Sequence, residues 1–213
     1  MAKKRRRSAK TRTAKKLIII RCEGEETEIN YYRSLFDENP NNKQKYVLDI
    51  NQPRDHSPYG IIKAVKLEVS KKIKDDIPKE DVFGWGVFDR DGHARIPDAI
   101  QMARDNNIQV VFSSVCFEFW ILLHYTYSTR PFLNCSDVMS FIKTNFNSEY
   151  DKSEDIYGYL KDNVLDAIER AQSLHKYHEV DLENGKRIFE LNPYTNAHEL
   201  VLFIKGLSAE VDD

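Results

Sequence analysis

Two short acidic signals mark the chain. Glu23-Gly24 closes the apolar run Leu17-Ile-Ile-Ile20, and Asp89-Arg-Asp91 closes a second apolar run ending at Phe88. Carboxylates brought together from separate segments repel unless a cation neutralises them. A ligand set made only of oxygens suits Mg²⁺ or Mn²⁺, with waters and substrate phosphates completing the shell. An ion of this kind can activate water and balance the charge that builds on a phosphodiester. The Asp-x-Asp spacing puts Asp89 and Asp91 on one side of an extended chain, since side-chain direction repeats every two residues. Gly24 allows a tight turn beside a ligand. The plainer alternative is that Glu23 caps the helix that follows and the Asp pair merely forms a turn.

Further candidates lie beside these. Glu118 opens the apolar segment Phe117-Glu-Phe-Trp-Ile-Leu-Leu-His124. A carboxylate among such neighbours is costly to bury alone. It should meet a metal, a donor or a cation such as Arg21 or Arg90, and it could serve as an extra ligand or a general base. His124, six residues on, does not share a helical face with Glu118; it is either a substrate contact or a structural histidine. His93 follows Asp91 by two residues and could meet a phosphate or donate a proton, or sit in a solvated turn. Lys186 and Arg187 could touch a substrate backbone or lie on a solvated face. His175 and His178 lack companion ligands for zinc and read as cations at a helix end or as surface residues.

The elements that must position these groups follow from periodicity. Leu17–Ile20 reads as a strand buried on both faces. Ile29, Tyr32 and Phe36 mark a helix with Thr27 as its N-cap, stopping before Pro40. Residues 46–50 read as a second strand, and Ser57-Pro58 as a helix start. Val82–Phe88 is a third strand, Ile96–Ala103 a helix, and Ile108–Phe112 a fourth strand. This βαβαβαβ order predicts an α/β fold with a mainly parallel sheet of about four strands flanked by helices. In such a sheet ligands bind beyond the carboxyl ends of the strands, which is where Glu23, Asp89 and Asp91 fall. The rest reads as helical: Phe117–His124, a helix capped by Ser136, a longer helix over about 155–175 with Leu165, Ile168 and Leu174 as core candidates, and a last helix after Asn192-Pro-Tyr-Thr195. The expected organisation is a flexible basic arm over 1–16, an α/β core over 17–125 and a helical extension over 126–213 packed on that core.

Composition limits the function classes. With 213 residues, 41% hydrophobic and 11% aromatic, the chain has ample material for a core. No apolar run approaches a membrane span, and the basic start leads into no secretory h-region, so a cytoplasmic protein with no membrane partner is expected. The net charge of −2 conceals an asymmetry: nine Lys and Arg fall within residues 1–16, leaving 23 basic against 34 acidic residues beyond them. A basic arm on an acidic body suits contact with nucleic acid, or serves as a solubilising tail. Three cysteines, Cys22, Cys116 and Cys135, without paired spacing argue for a reducing compartment and against a disulfide scaffold.

Leu17-Ile-Ile-Ile-Arg-Cys-Glu-Gly24 and Val87-Phe-Asp-Arg-Asp91 resemble the two acidic motifs of TOPRIM domains. Glu23-Gly-Glu-Glu-Thr-Glu28, Phe88-Asp-Arg-Asp91, Cys116-Phe-Glu-Phe-Trp-Ile-Leu-Leu-His124 and Asn192-Pro-Tyr-Thr195, in this order, look like the RloB family. One departure is Ser114-Val115, where Asn-Pro would be expected before Cys116. The resemblance implies a TOPRIM or Rossmann-like sheet, a prokaryotic protein associated with phage defence, and metal-site roles for Glu23, Asp89 and Asp91. It points to a metal-dependent nuclease acting on RNA, transfer RNA included, or on DNA. A non-catalytic nucleic-acid-binding or sensing subunit is the alternative from another class. A nucleotide-sugar transferase holding its metal by Asp-x-Asp is a second enzyme reading, but it leaves Glu23-Gly24 unexplained. No Gly-x-x-x-x-Gly-Lys element is present, so control by ATP would have to come from a partner ATPase or another defence-system chain. A homodimer is a further expected arrangement.

Overall fold

A computed structural model describes residues 15–90, 92, 95–152 and 156–207. Asp91, His93 and nearly all of the 1–16 arm lie outside the described residues. The chain runs β1 (Lys16–Cys22), α1 (Thr27–Glu38), α2 (Asn42–Lys45), β2 (Tyr46–Asn51), α3 (Pro58–Lys74), β3 (Val82–Asp89), α4 (Ile96–Asp105), β4 (Gln109–Ser114), α5 (Glu118–Tyr125), α6 (Cys135–Asn145), α7 (Tyr157–Leu160), α8 (Val164–Tyr177), α9 (Glu179–Glu183), β5 (Tyr194–Thr195) and α10 (Ala197–Gly206). The sheet has five strands in the order β2-β1-β3-β4-β5. The first four are parallel, and the short fifth pairs antiparallel with β4 through Ser113 and Ser114. The α/β sheet read from sequence is therefore present, with one strand more than expected. The addition, Tyr194-Thr195, is too short to show a period.

Burial follows the two-residue repeat of the strands. Ile18, Ile20 and Cys22 of β1 face one hydrophobic cluster, built with α1, α5, α6, α8 and α10. Leu17 and Ile19 face the other, built with α3 and α4. The chain leaving β1 thus enters a helix on one face of the sheet, and the chain leaving β3 enters α4 on the opposite face. Since β1 and β3 are neighbours, a crevice opens between their carboxyl ends, the usual binding position in an open parallel sheet. Arg21, near the end of β1, is committed elsewhere: its guanidinium forks onto both Asp49 carboxylate oxygens at 2.9 and 3.1 Å.

The helix ends follow the local sequence signals in some places and not in others. Ser57 caps α3, accepting from the Gly60 amide at 3.2 Å. Thr27 is instead the first residue of α1, and its hydroxyl donates to the Lys152 carbonyl at 3.1 Å. Asn134, not Ser136, caps α6 through the Asp137 amide. The segment around 155–175 breaks into α7 and α8, and α8 turns Val164, Ala167, Ile168 and Ala171 inward while Leu165 is 65% exposed. Among the described residues no helix is long and apolar enough to cross a membrane. The expectation of unpaired cysteines is corrected: Cys116 and Cys135 form a disulfide with a Cα–Cα separation of 5.6 Å, and Cys22 alone is a free, buried thiol. A separation of 19 residues carries no spacing signal, so only the packing of α6 against the turn before α5 reveals the pair.

Candidate metal centre at the sheet edge

Parallel pairing of β1 with β3 places Cys22 opposite Val87; Glu23 follows Cys22 directly, and Asp89 lies two residues beyond Val87. The Glu23 amide continues the ladder by donating to the Val87 carbonyl at 2.9 Å. Its carboxylate then accepts from the Asp89 amide at 3.0 Å. Gln52, just past β2, donates to the Glu23 carbonyl at 2.5 Å and fixes the turn from the other side. Gly24 then reverses the chain so closely that a Cβ there would collide with the Glu28 carboxylate. The Gly24 amide donates to that carboxylate at 3.2 Å.

Glu118 reaches the same place from α5. It is 2% exposed, with Lys152 Nζ 2.8 Å from one carboxylate oxygen and Cys135 Sγ 3.0 Å from the other. The partner expected from sequence was Arg21 or Arg90; the structure supplies Lys152, from a stretch with no motif. Two adjoining cavities of about 360 and 320 Å³ share Glu23, Asp89 and Lys152 as walls. One extends over Glu28 and Glu118, the other over Arg90, Cys116 and Cys135.

The electrostatics follow from crowding. Burial, followed by the charges of Glu28, Glu118 and Glu23, pushes Asp89 well above the usual carboxylate range, while the Phe117 amide at the start of α5 pulls it back. Burial also raises Glu28 to about 7, against hydrogen bonds from its own amide and that of Gly24; Glu118 adds to the rise and Lys152 opposes it. Four carboxylates from three stretches of chain thus share one crevice with Lys152 and Arg90. The protein alone leaves this negative charge under-compensated, and burial together with mutual repulsion raises two of the acids, Asp89 and Glu28, above the usual carboxylate range. Such an all-oxygen donor set fits Mg²⁺ or Mn²⁺.

The structure sorts the remaining candidates. Gly24 lies at the crevice. His124 does not: it is 1% exposed in the aromatic core, against the hydroxyl of Tyr31 at 3.0 Å and the Trp120 carbonyl at 3.0 Å. With both ring nitrogens used and the ring walled off by Tyr31, Trp120 and the rest of that core, it cannot reach a substrate. Lys186 is paired with Asp181 at 2.9 Å, and the Arg187 amide donates to Glu190; neither lines the crevice. His178 is not a surface cation either, being buried with Nε2 2.7 Å from the Pro193 carbonyl. Reading the sequence missed Glu28 and Lys152. Glu28 could have been found from its spacing, since a glycine turn followed by a helix brings residue 28 back over residue 24. Lys152 left no local trace.

A family model described as RloB-like protein matches residues 18–204. No curated protein and no solved structure matches the chain.

Proposed function

The chain belongs to the RloB-like family, and from that premise we propose that it is a Mg²⁺- or Mn²⁺-dependent, TOPRIM-type nuclease of phage defence, hydrolysing phosphodiesters of RNA, transfer RNA included, or of DNA. The observation that carries this reading is the convergence of Glu23, Glu28, Asp89 and Glu118 on one crevice between β1 and β3, with too few cations to balance them. A protein that only bound nucleic acid would gain nothing from acids where phosphates dock. Glu23 and Asp89 would hold the cation, with Asp91 as the third ligand implied by the motif. When bound, the ion supplies charge compensation for the phosphodiester and an acidified water. Glu118, buried and held by a lysine, is the group placed to take a proton from an attacking water. Lys152, 44% exposed, can leave Glu118 and follow a phosphate oxygen. Gly24 keeps the backbone low beside Glu28, leaving room for a ligand. The basic residues of 1–16 would track the backbone of a polyanion that the acidic body otherwise repels.

Purified protein incubated with DNA, total RNA and transfer RNA, each with Mg²⁺, Mn²⁺ or a chelator, tests this directly. Cleavage of one substrate class that needs the metal is expected. No cleavage of any class, together with metal-independent binding, would move the chain to the binding-subunit reading.

A further inference from the structure

We propose that Cys116, Cys135 and Glu118 form a second cation site, separate from the Glu23–Asp89 crevice in chemistry and selective for a soft divalent ion such as Zn²⁺, closed while the cysteines are a disulfide and open once they are reduced. The three side chains come from the turn before α5, the first residue of α5 and the first residue of α6, and their ligand atoms all lie within 4.8 Å of one another. Glu118 and Cys116 are buried, so the site is built into the core wall rather than laid on the surface. The hard-cation reading uses oxygen donors; two sulfurs and one carboxylate are a different set, matched to tetrahedral Zn²⁺ with an open fourth position. Zinc bonds of about 2.3 Å to sulfur and 2.0–2.2 Å to oxygen require donor atoms some 3.5–3.8 Å apart, inside the 4.8 Å span that the three ligand atoms already share.

A second observation points to a cation at this place. The Lys152 ammonium sits 2.8 Å from Glu118 Oε1 and 3.4 Å from Cys135 Sγ, touching two of the three ligands. It stands in for the ion while the cysteines are linked and carry no charge. At 44% exposed, its side chain has solvent to swing into when a metal arrives. Cys116 and Cys135 also line the wall of the larger cavity, so a small reductant and an ion reach them by the same opening.

The chemistry balances with a dithiol as reductant. A dithiol thiolate attacks one sulfur of the Cys116–Cys135 bond, and its second thiol closes a disulfide within the reductant. Two electrons and two protons pass to the protein, giving two thiols. Zinc binding then releases those two protons to solvent as two Zn–S bonds form. Because Glu118 is shared, zinc here would also withdraw it from the neighbouring carboxylate crevice.

The test uses the full chain, either oxidised or reduced with dithiothreitol, freed of reductant and metal without air, and titrated with Zn²⁺ alone. Co²⁺ serves as a spectroscopic probe, and a thermal melt checks the fold in each state. The expected result is about one zinc per reduced chain, none per oxidised chain, and a near-ultraviolet thiolate-to-cobalt band in the reduced chain only. Cys135→Ser and Cys116→Ser should each weaken zinc binding at least ~100-fold, and Glu118→Gln at least ~10-fold. A reduced chain that binds no zinc, that unfolds, or that binds cobalt without the thiolate band overturns the proposal, as does equal zinc binding by the oxidised chain. Mg²⁺ titration of the oxidised parent tests the carboxylate crevice alone, so failure of the zinc site and failure of the nuclease reading are told apart.

Discussion

At the two ends of α5 sit two buried ionisable side chains, Glu118 at 2% exposure and His124 at 1%. His124 is closed into a neutral network. The Trp120 carbonyl can only accept, so Nδ1 carries the proton and Nε2 accepts from the Tyr31 hydroxyl. Burial holds its pKa down at about 4, and no uncompensated charge remains. Glu118 is the opposite case. Its cationic partner is half in solvent, and its own charge adds to the burial that raises Asp89 and Glu28 above the usual carboxylate range. Equal burial therefore does not mean equal purpose. A polar group whose partners are all fixed and neutral holds the fold together, whereas one whose balance depends on a movable cation is placed to meet a ligand.

The widest separation between the two ends should come from substitution. Asp89→Asn and Glu23→Gln are expected to lower cleavage by at least ~100-fold, the scale of losing a metal ligand. Both should melt, without metal, at or above the parent's temperature, because one member of a repelling set is gone. His124→Phe should do the reverse. It leaves the buried Tyr31 hydroxyl without its ring-nitrogen partner, which costs about 1–3 kcal/mol of stability, while Mg²⁺ affinity stays within about twofold. Denaturant melts and calorimetry on the same three variants check this, and a His124 variant that loses metal binding with its fold intact would break the comparison.

Acidity separates the ends again, with opposite signs. His124 titrates near 6.5 when unfolded and about 4 when folded, so its contribution is intact above pH 6.5 and is lost as pH falls towards 4. At about 1.4 kcal/mol per unit, the loss approaches ~3 kcal/mol. Glu28 is raised from 4.5 to about 7, so its contribution is full below pH 4.5 and is lost as pH rises through 7. In metal-free parent protein the two slopes oppose one another. Glu28→Gln should expose the histidine's fall on acidification, and His124→Phe the carboxyl's rise, in urea melts between pH 7.5 and 5. Identical slopes in parent and both variants would contradict these assignments. A smaller effect is expected of Gly24→Ala: its methyl group displaces the Glu28 carboxylate, costing about 1–3 kcal/mol as overpacking does and weakening Mg²⁺ binding severalfold.

What could be read in the sequence follows from range. Leu17–Ile20 and Val82–Phe88 are continuous apolar runs, so strands buried on both faces, and hence the placement of Glu23 and Asp89 at their ends, are local facts. The Phe117–His124 helix was equally legible, but not which of its polar ends faces the crevice; that depends on α1 and α8 covering His124. Lys152 and the Cys116–Cys135 pair depend on contacts between distant segments, without periodicity to announce them. Leu165 is exposed because α8 begins after a break at 161–163 and turns Val164 and Ala167 inward.

The central claim, that the crowded carboxylates await a divalent cation, is tested most directly by calorimetric titration of metal-free protein with Mg²⁺ at pH 7 in buffers of different ionisation heat. The account predicts saturable binding with a buffer-dependent heat, because Glu28, raised to about 7, gives up its proton as the ion enters, and affinity at least ~10-fold weaker in Asp89→Asn. No saturable binding by the parent, or binding of equal strength in Asp89→Asn, would contradict it.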